Sequence, residues 1–507
     1  MAPAPPAVEK LMDNPDATRA CLKWLDGASV EAWRCAGKRV VEVASADAVW
    51  RELARRDFYG GGDVPAAAEA PGGAPGAAPT DEVLACATWR AAHGRWSRVA
   101  ARVDGPRAPS PTEAALDESG EEPFAAASAF DARLWSSVAA SWRALKGALA
   151  GRGTAEDAAV GDAVVATLRP GASSEDLARV RARSLRYCYA MRDGRAEPEV
   201  FDPTSMHDGQ DLAFDAALAA RDRGAMKTSQ HTIFHGLFGG LAAYDYVACG
   251  RFKSVAAVAA ADDLAVDGAA VFATNYRGDR AFFATDDDRR VYVDGEPAAP
   301  EGAGAFAAWF AAYAARVASS CYRVAPIVPD APRTAGIVLF PDGELPGGAG
   351  VAAATTVGVQ VRASAVYLPN HPSGFAYSIR LRATEALSYG SCQLKARHWK
   401  IADGDEPHRD VRGDGVVGKF PVLRFGGWRD DAQVGDLARG FERAVERGPD
   451  RDGEFVYQSF SGPMLRPGGG TFEGALEFHP GSVVEPAGPT FLVAVPRFRL
   501  RVPEFIF

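Results

Sequence analysis

Two runs in the C-terminal third alternate apolar and polar residues, and they constrain the fold more than any other feature of the chain. They are Val357-Gly-Val-Gln-Val-Arg-Ala-Ser-Ala-Val-Tyr-Leu368 and Phe375-Ala-Tyr-Ser-Ile-Arg-Leu-Arg-Ala383. Successive side chains of a strand point to opposite faces, so this pattern predicts strands with one face buried and one face wet. Asn370-His-Pro-Ser-Gly374 lies between them and has turn chemistry. So short a link joins antiparallel neighbours, because parallel ones need a long crossover.

The last run carries a second message. Phe491, Val493 and Val495 share one face, but after Pro496 the apolar set becomes Phe498, Leu500 and Val502. The phase slips by one residue, which would turn the strand inside out unless a bulge absorbs it. A bulge or edge position is predicted at Pro496, where a missing N–H does least harm.

Gly413, Gly415 and Gly418 form a GxGxxG. A dinucleotide-binding loop needs a parallel strand before it and a helix after it. Here the flanks are strand-like, and Lys419-Phe-Pro421 starts no helix. Two readings stay open: glycines at a turn or bulge, or an anion nest of glycine N–H groups beside Lys419 and Arg397. Arg397-His398-Trp399 is likewise open. It reads as a cationic–aromatic patch, or as strand residues alternating between a core Trp399 and the surface.

Taken in order, Cys392-Gln-Leu-Lys-Ala-Arg-His-Trp-Lys-Ile401, Gly413-Asp-Gly-Val-Val-Gly-Lys-Phe-Pro421 and Val495-Pro-Arg-Phe-Arg-Leu500 resemble the ApaG domain. That is a small β-sandwich of the immunoglobulin/fibronectin-III type, found alone in bacteria and fused to F-box proteins in eukaryotes. The resemblance runs from about Thr356 to Val502. It maps the family's Arg-His-Trp cluster to 397–399, its glycine motif to Gly413 through Phe420, its Ser-Gly-Pro-Met element to Ser461 through Met464, and a later glycine to Gly474. The chain departs from it between Gly426 and Asp452. There Val434, Leu437, Phe441 and Val445 recur at helical spacing, as in a surface helix inserted in a loop.

Residues 14–58 resemble an F-box, a roughly three-helix motif that docks on a Skp-family adaptor of a cullin ubiquitin ligase. Pro15, Leu22, Leu25-Asp26, Val30, Ala44-Ser45-Ala-Asp47, Trp50, Leu53 and Asp57-Phe58 carry the likeness. The usual leading Leu-Pro is Asn14-Pro15 here, and Val40 stands where an aromatic is common. Helices this short bury too little surface to be stable alone, so a partner or a neighbouring domain must cover them. The resemblance implies adaptor contact through Pro15, Leu22, Leu25, Val30, Trp50 and Leu53. The alternative is a helical cap packed on the next domain.

Residues 59–80 and 104–123 are rich in Gly, Pro, Ala or Ser and read as linkers. Trp89, Trp96 and Val99 between them fit a helix extending the cap. From Phe130, Leu134, Val138, Trp142, Leu145 and Leu149 form one apolar stripe with Trp135 beside it. A later helix carries Phe306, Trp309, Phe310, Tyr313 and Val317 on one face. With Leu168-Arg-Pro-Gly-Ala-Ser-Ser-Glu-Asp-Leu177, Leu185-Arg-Tyr-Cys-Tyr189, His207-Asp-Gly-Gln210 and Phe234-His-Gly-Leu-Phe-Gly-Gly-Leu241, this middle resembles a SUKH (Smi/Knr-like) α+β domain. The expected organisation is multidomain. An all-α F-box with its extension covers 10–103, a linker 104–123, the SUKH-like α+β domain 124–325, a linker 326–350, and the all-β ApaG sandwich 351–507.

A length of 507 residues suits about three domains. A formal charge of −9 argues against a nucleic-acid binder, and no run reaches the 18 or more apolar residues of a membrane span. Met1-Ala-Pro-Ala-Pro-Pro has no basic region followed by an apolar core, so no secretory signal is expected there. The seven cysteines are scattered without a CxxC, which predicts reduced thiols in the cytoplasm and/or nucleus and no zinc site. His231 and His235 are four apart but lack the Glu of a metalloprotease helix and a third ligand. Asp286-Asp-Asp288-Arg289-Arg290 reads as a solvated turn. Nucleophile-elbow and P-loop patterns are missing from the sequence. The expected function is a non-catalytic substrate receptor of a Skp–cullin–F-box ubiquitin ligase, without cofactor or metal. Its partners would be the Skp-family adaptor, the cullin scaffold and an unknown target protein. The alternative is a small-molecule or pyrophosphate sensor using the glycine loop.

Overall fold

The computed structural model describes residues 49–51, 53–54, 89–104, 131–150, 160–162, 164–165, 168–195, 236–243, 246–261, 265–275, 281–327, 335–345, 350, 351–369, 371–404, 408–416, 418–430, 453–464 and 469–507. The expected linker 59–80, His231, His235 and the expected helix at 434–445 lie outside them.

The first long helices form because each has a wide apolar face, and the second also has a built start. Helix α1 is Trp89–Asp104 and α2 is Ala132–Leu149. The Asp131 carboxylate caps α2 by accepting from the Arg133 and Leu134 amides. Trp135, Val138, Trp142, Leu145 and Leu149 are buried, as the stripe predicts, while Leu134 is only half-buried. Short α3 (Ser174–Leu177) and α4 (Arg183–Met191) follow. Strands β1 (Gly240–Ala243), β2 (Tyr246–Cys249) and β3 (Arg251–Phe252) lead through α5 (Val255–Ala259) to β4 (Ala269–Thr274), β5 (Ala281–Thr285), β6 (Val291–Val293) and β7 (Glu296–Pro297). Helix α6 (Ala305–Ala318) then packs on α2, with Trp142 edge-on to Phe310 at 5.1 Å. All five predicted α6 face residues are buried.

Strands β3 to β7 make an antiparallel meander. A second small sheet has the order β2-β1-β9-β8, with β8 at Arg323–Pro326 and β9 at Ala335–Val338. The middle is therefore α+β. Part of the stretch read as a linker, 326–350, is instead structured. Strand β9 pairs with β8 and β1, and Ile337, Val338, Leu339 and Phe340 are buried. A four-residue apolar run, Ile337 to Phe340, is short enough to hide among prolines and glycines.

The sandwich follows. One sheet has the order β10-β11-β12-β17, formed by Ala352–Thr356, Val359–Tyr367, Phe375–Ala383 and Phe455–Phe460. The other has the order β16-β15-β13-β18-β19, formed by Gly427–Asp430, Pro421–Arg424, Ser391–Ala402, Gly470–Pro480 and Phe491–Leu500, with β14 (Arg409–Asp414) also paired to β13. The two alternating runs are antiparallel neighbours, in register from Val359↔Ala383 to Tyr367↔Phe375. The slip at Pro496 is a bulge. Phe472 pairs with Phe498 but Gly474 pairs with Val495, so one extra residue lies on β19, an end strand of its sheet. Val493, Val495, Phe498 and Leu500 all stay buried.

Strand β12 departs from the expected wet face. Its residues are buried on both sides, including Ser378 and Arg380. Alternation is correct, but the polar face lies against the middle of the chain instead of water. Ala376, Val366 and Leu368 belong to the same core as α2 and α6.

Candidate functional site

Pro15, Leu22, Leu25 and Val30 lie outside the described residues. Trp50 and Leu53 are described, and both are buried, at 2% and 0% exposure. They share a core with Trp96 and Val103, and the Trp50 ring meets His93 edge-on at 5.2 Å. Two of the six expected adaptor contacts are thus internal packing residues. Helix α1 packs in turn on α3 and α4. Large aromatics supply the most burial per residue, which explains why Trp50 is used inside.

The glycine loop is a tight hairpin end. Val416 and Lys419 exchange both backbone hydrogen bonds at 2.9 Å, and Gly415 and Gly418 have φ of 54° and 70°, where a side chain is strained. The structure does bring Arg397 to Gly413 and Gly415. Its guanidinium donates to the carbonyls of Asp414 at 3.1 Å and Gly415 at 2.7 Å. A Cβ on Gly413 would lie 3.0 Å from Arg397 Nη1. However, the Gly415 amide already donates to Lys395 O, and the Lys419 amide to Val416 O. Those donors do not converge on an anion, so the anion-nest reading is replaced by a braced turn. The following element is strand β15, and no dinucleotide loop is formed.

The Arg397-His398-Trp399 cluster splits across the sheet. Trp399 is buried beside Phe472, and Gly474 lies opposite it in register. His398 bonds Asp410, and that hydrogen bond holds the Asp410 carboxyl below its ordinary range. No shared cationic–aromatic surface results. Asp288 also departs from expectation. It is buried and accepts from the Ser184 amide at 2.7 Å and hydroxyl at 2.5 Å, capping α4. Burial raises its carboxyl above the ordinary range, with the Ser184 hydrogen bonds opposing. The neighbouring Asp286, Arg289 and Arg290 do form exposed ion pairs, with Arg181 and Glu301.

Sequence reasoning missed a buried charge network between the middle and the sandwich. Arg362 on β11 and Arg380 on β12 are paired in register. Like charges directly opposite in a sheet repel, so this pair needs an anion. Asp342 supplies it, accepting from both guanidiniums, while Arg323 lies 3.6 Å away. Glu454 pairs with Arg362 at 3.4 Å and with Arg323 at 3.7 Å. Burial alone would raise Asp342, but the three arginines outweigh it and hold the carboxyl low. Burial pulls Arg380 down to about 10; Arg323 and Arg362 add to this, while Asp342 and Glu454 oppose it. The readable signal was the arginine at the same depth of two adjacent strands.

The exposed apolar surface gathers at one end of the sandwich. Among the described residues, the exposed large hydrophobics are Val357, Tyr389, Val411, Phe425, Val484 and Leu492. All but Val411 lie on connections or strand ends that meet there. Tyr389 stacks on Phe491, Phe425 bridges Ala383, and Gly481 donates to Ser391 O. Cys188, Cys321 and Cys392 are free and buried, and burial raises Cys392 to about 12. Among the described residues, no group of three or more His, Cys, Asp or Glu is placed to hold a metal ion, and no helix is long and apolar enough to cross a membrane.

Comparison with known proteins matches residues 369–428 to the ApaG domain model. F-box protein SKIP16 of Arabidopsis thaliana is 34% identical over 166 residues, 30% of this chain and 32% of that protein. Human F-box only protein 3 is 28% identical over 159 residues, 30% of this chain and 27% of that protein. The chain thus spans about a third or less of the length of these relatives. Protein ApaG of Edwardsiella ictaluri is 30% identical over 132 residues, 26% of this chain and 77% of that protein. With most of a free-standing ApaG protein covered at that identity, the chain belongs to the ApaG-domain family.

Proposed function

We propose that this chain is the substrate-recognition subunit of a Skp–cullin–F-box ubiquitin ligase working in the cytoplasm or nucleus. The F-box-like segment 14–58 would hold the Skp-family adaptor, and the SUKH-like middle and ApaG sandwich would hold a target protein. The observation that supports this most is the joint one: relatives named as F-box proteins match part of the chain, and F-box-like residues stand ahead of its ApaG domain. The chain does no chemistry in this reading. It acts by proximity, holding a target lysine near the charged conjugating enzyme. The target-facing surface is the apolar sandwich end at Tyr389, Phe425, Val484 and Leu492, because contiguous exposed apolar surface marks interaction sites.

Co-purification of the full chain with a Skp-family adaptor and cullin tests the proposal, with Leu25→Asp as the control. Stoichiometric binding lost in Leu25→Asp is expected. A folded wild-type chain that captures no adaptor would reject the ligase reading.

A further inference from the structure

Strand β14 is an open edge of the sandwich. It pairs with β13 on one side, and among the described residues no strand pairs with it on the other. The end strands β10 and β19 differ, because they lie side by side, with the Ala494 amide donating to Thr356 Oγ1 at 3.3 Å. Every residue of Arg409–Asp414 is exposed except half-buried Gly413. Such an edge offers a row of backbone donors and acceptors to another strand.

The side chains of this edge carry a sign pattern. Arg412 lies opposite His398 and Asp410 opposite Lys400, on the outer face of the sheet. Val411 lies opposite buried Trp399, on the inner face, yet it is 37% exposed. Among the described residues no carboxylate forms an ion pair with Arg412. Asp410 gives Oδ1 to His398, while its Oδ2 has His408 at 3.7 Å, beyond hydrogen-bond reach. A cation and an anion two residues apart on one face, each with bonding capacity left, are complementary to the same strand run backwards.

We infer that β14 pairs antiparallel with β14 of a second copy of this chain, about a two-fold axis through Val411. In this register Asp410 stands opposite Arg412 of the second copy and Arg412 opposite its Asp410. The two Val411 side chains meet, and Arg409 stands opposite Gly413 of the second copy. Opposite charges across antiparallel strands attract and like charges repel. An axis at Asp410 would set the two Asp410 carboxylates against each other. An axis at Arg412 would set Arg412 against Arg412 and Asp410 against Asp414. At Gly413 only residues 412–414 of the strand could pair. The signs therefore select one register, and a self-complementary contact of this kind closes at two copies. Pairing of 409–413 makes a small interface, so its dissociation constant is on the order of micromolar or weaker. It requires neither the F-box-like segment nor an adaptor.

The test is sedimentation velocity of the full chain from about 1 to about 500 μM, a range that brackets such an affinity. Wild type, Arg412→Asp, Asp410→Arg and an equimolar mixture of the two variants are compared. Wild type should dimerise with rising concentration. Each variant alone sets like charges opposite and should dimerise at least tenfold more weakly. The mixture sets an all-acidic edge against an all-basic one and should recover the dimer. A wild type that stays monomeric throughout overturns the inference and leaves the edge to a strand of some other protein. A wild-type dimer that Arg412→Asp does not weaken, or a mixture no tighter than its separate components, overturns it too. If either variant lacks native circular dichroism, hydrogen exchange on the wild type decides. Amides within 409–413 should gain protection as concentration rises, and protection independent of concentration overturns the inference.

Discussion

Asp342 accepts from Arg380 in the middle of a strand buried on both faces, and so joins the polar side of the sandwich to the middle of the chain. The interface is polar because β11 and β12 present the alternating face that a lone sandwich would give to water. Arg362, Ser364 and Arg380 are met there by hydrogen bonds and countercharges.

Asp342→Ala leaves the buried Arg380 without its carboxylate, directly opposite the half-buried Arg362. Removing one partner of such a group costs about 3–5 kcal/mol. The urea midpoint should fall accordingly, and a change within error of zero would show the pairing to be incidental. Asp342→Ala with Arg380→Met should recover part of the loss, since apolar packing replaces buried ions at little cost.

Acid should loosen the same contact. The Asp342 carboxyl is held below its unfolded value, near 3.9 for a free aspartate. A depressed folded value means its stabilisation is whole above about pH 4 and is lost as pH falls through the folded value. Asp288 has the opposite sign, because its raised carboxyl binds a proton more readily when folded. Denaturation series between pH 7 and 3 should therefore show a steeper acid limb in wild type than in Asp342→Asn.

Gly474 is fixed by its neighbour across the sheet. A Cβ there would lie 2.2 Å from His398 O and 2.7 Å from Trp399 Cε3. Overpacking of this kind costs about 1–3 kcal/mol, and a backbone oxygen has little room to yield. Gly474→Ala should lower the melting temperature of the sandwich, while Gly390→Ala, with no neighbouring atom within 4 Å, should lower it only through its φ of 69°.

The sandwich was legible because period-2 alternation and the slip at Pro496 are local properties of the chain. The two helix faces were legible for the same reason at period 3.6. What lay beyond reading was the identity of the neighbour on each polar face. Alternation looks the same whether Arg380 meets water or Asp342, and Asp288 looks like a plain turn residue until Ser184 arrives from helix α4. The glycine motif misled in the other direction: its spacing suggested ligand donors, but Gly415 spends its amide on Lys395.

The N-cap of α2 offers a small, clean measurement. The Asp131 carboxylate accepts from two amides, and its own amide donates to the Tyr187 hydroxyl at 2.7 Å. Asp131→Ala should cost about 1 kcal/mol, the usual value of a lost cap. Asp131→Asn should recover most of it, because an amide oxygen still accepts. Equal losses in both would point to the charge instead of the hydrogen bond.

Trp50 separates folding from docking. Its side chain is buried in the core with Trp96 and His93, so truncation leaves a large cavity. Trp→Ala in a core costs about 3–5 kcal/mol. Trp50→Ala should therefore lower the unfolding midpoint of the whole chain and reduce adaptor capture only in proportion to the unfolded fraction. Leu25→Asp should abolish capture and leave the midpoint nearly unchanged if Leu25 faces the adaptor. Measured together, the two variants give opposite patterns in melting temperature and pull-down yield. If Trp50→Ala instead lost capture with an unshifted midpoint, Trp50 would be a contact residue, and its burial here would belong to the chain without its adaptor.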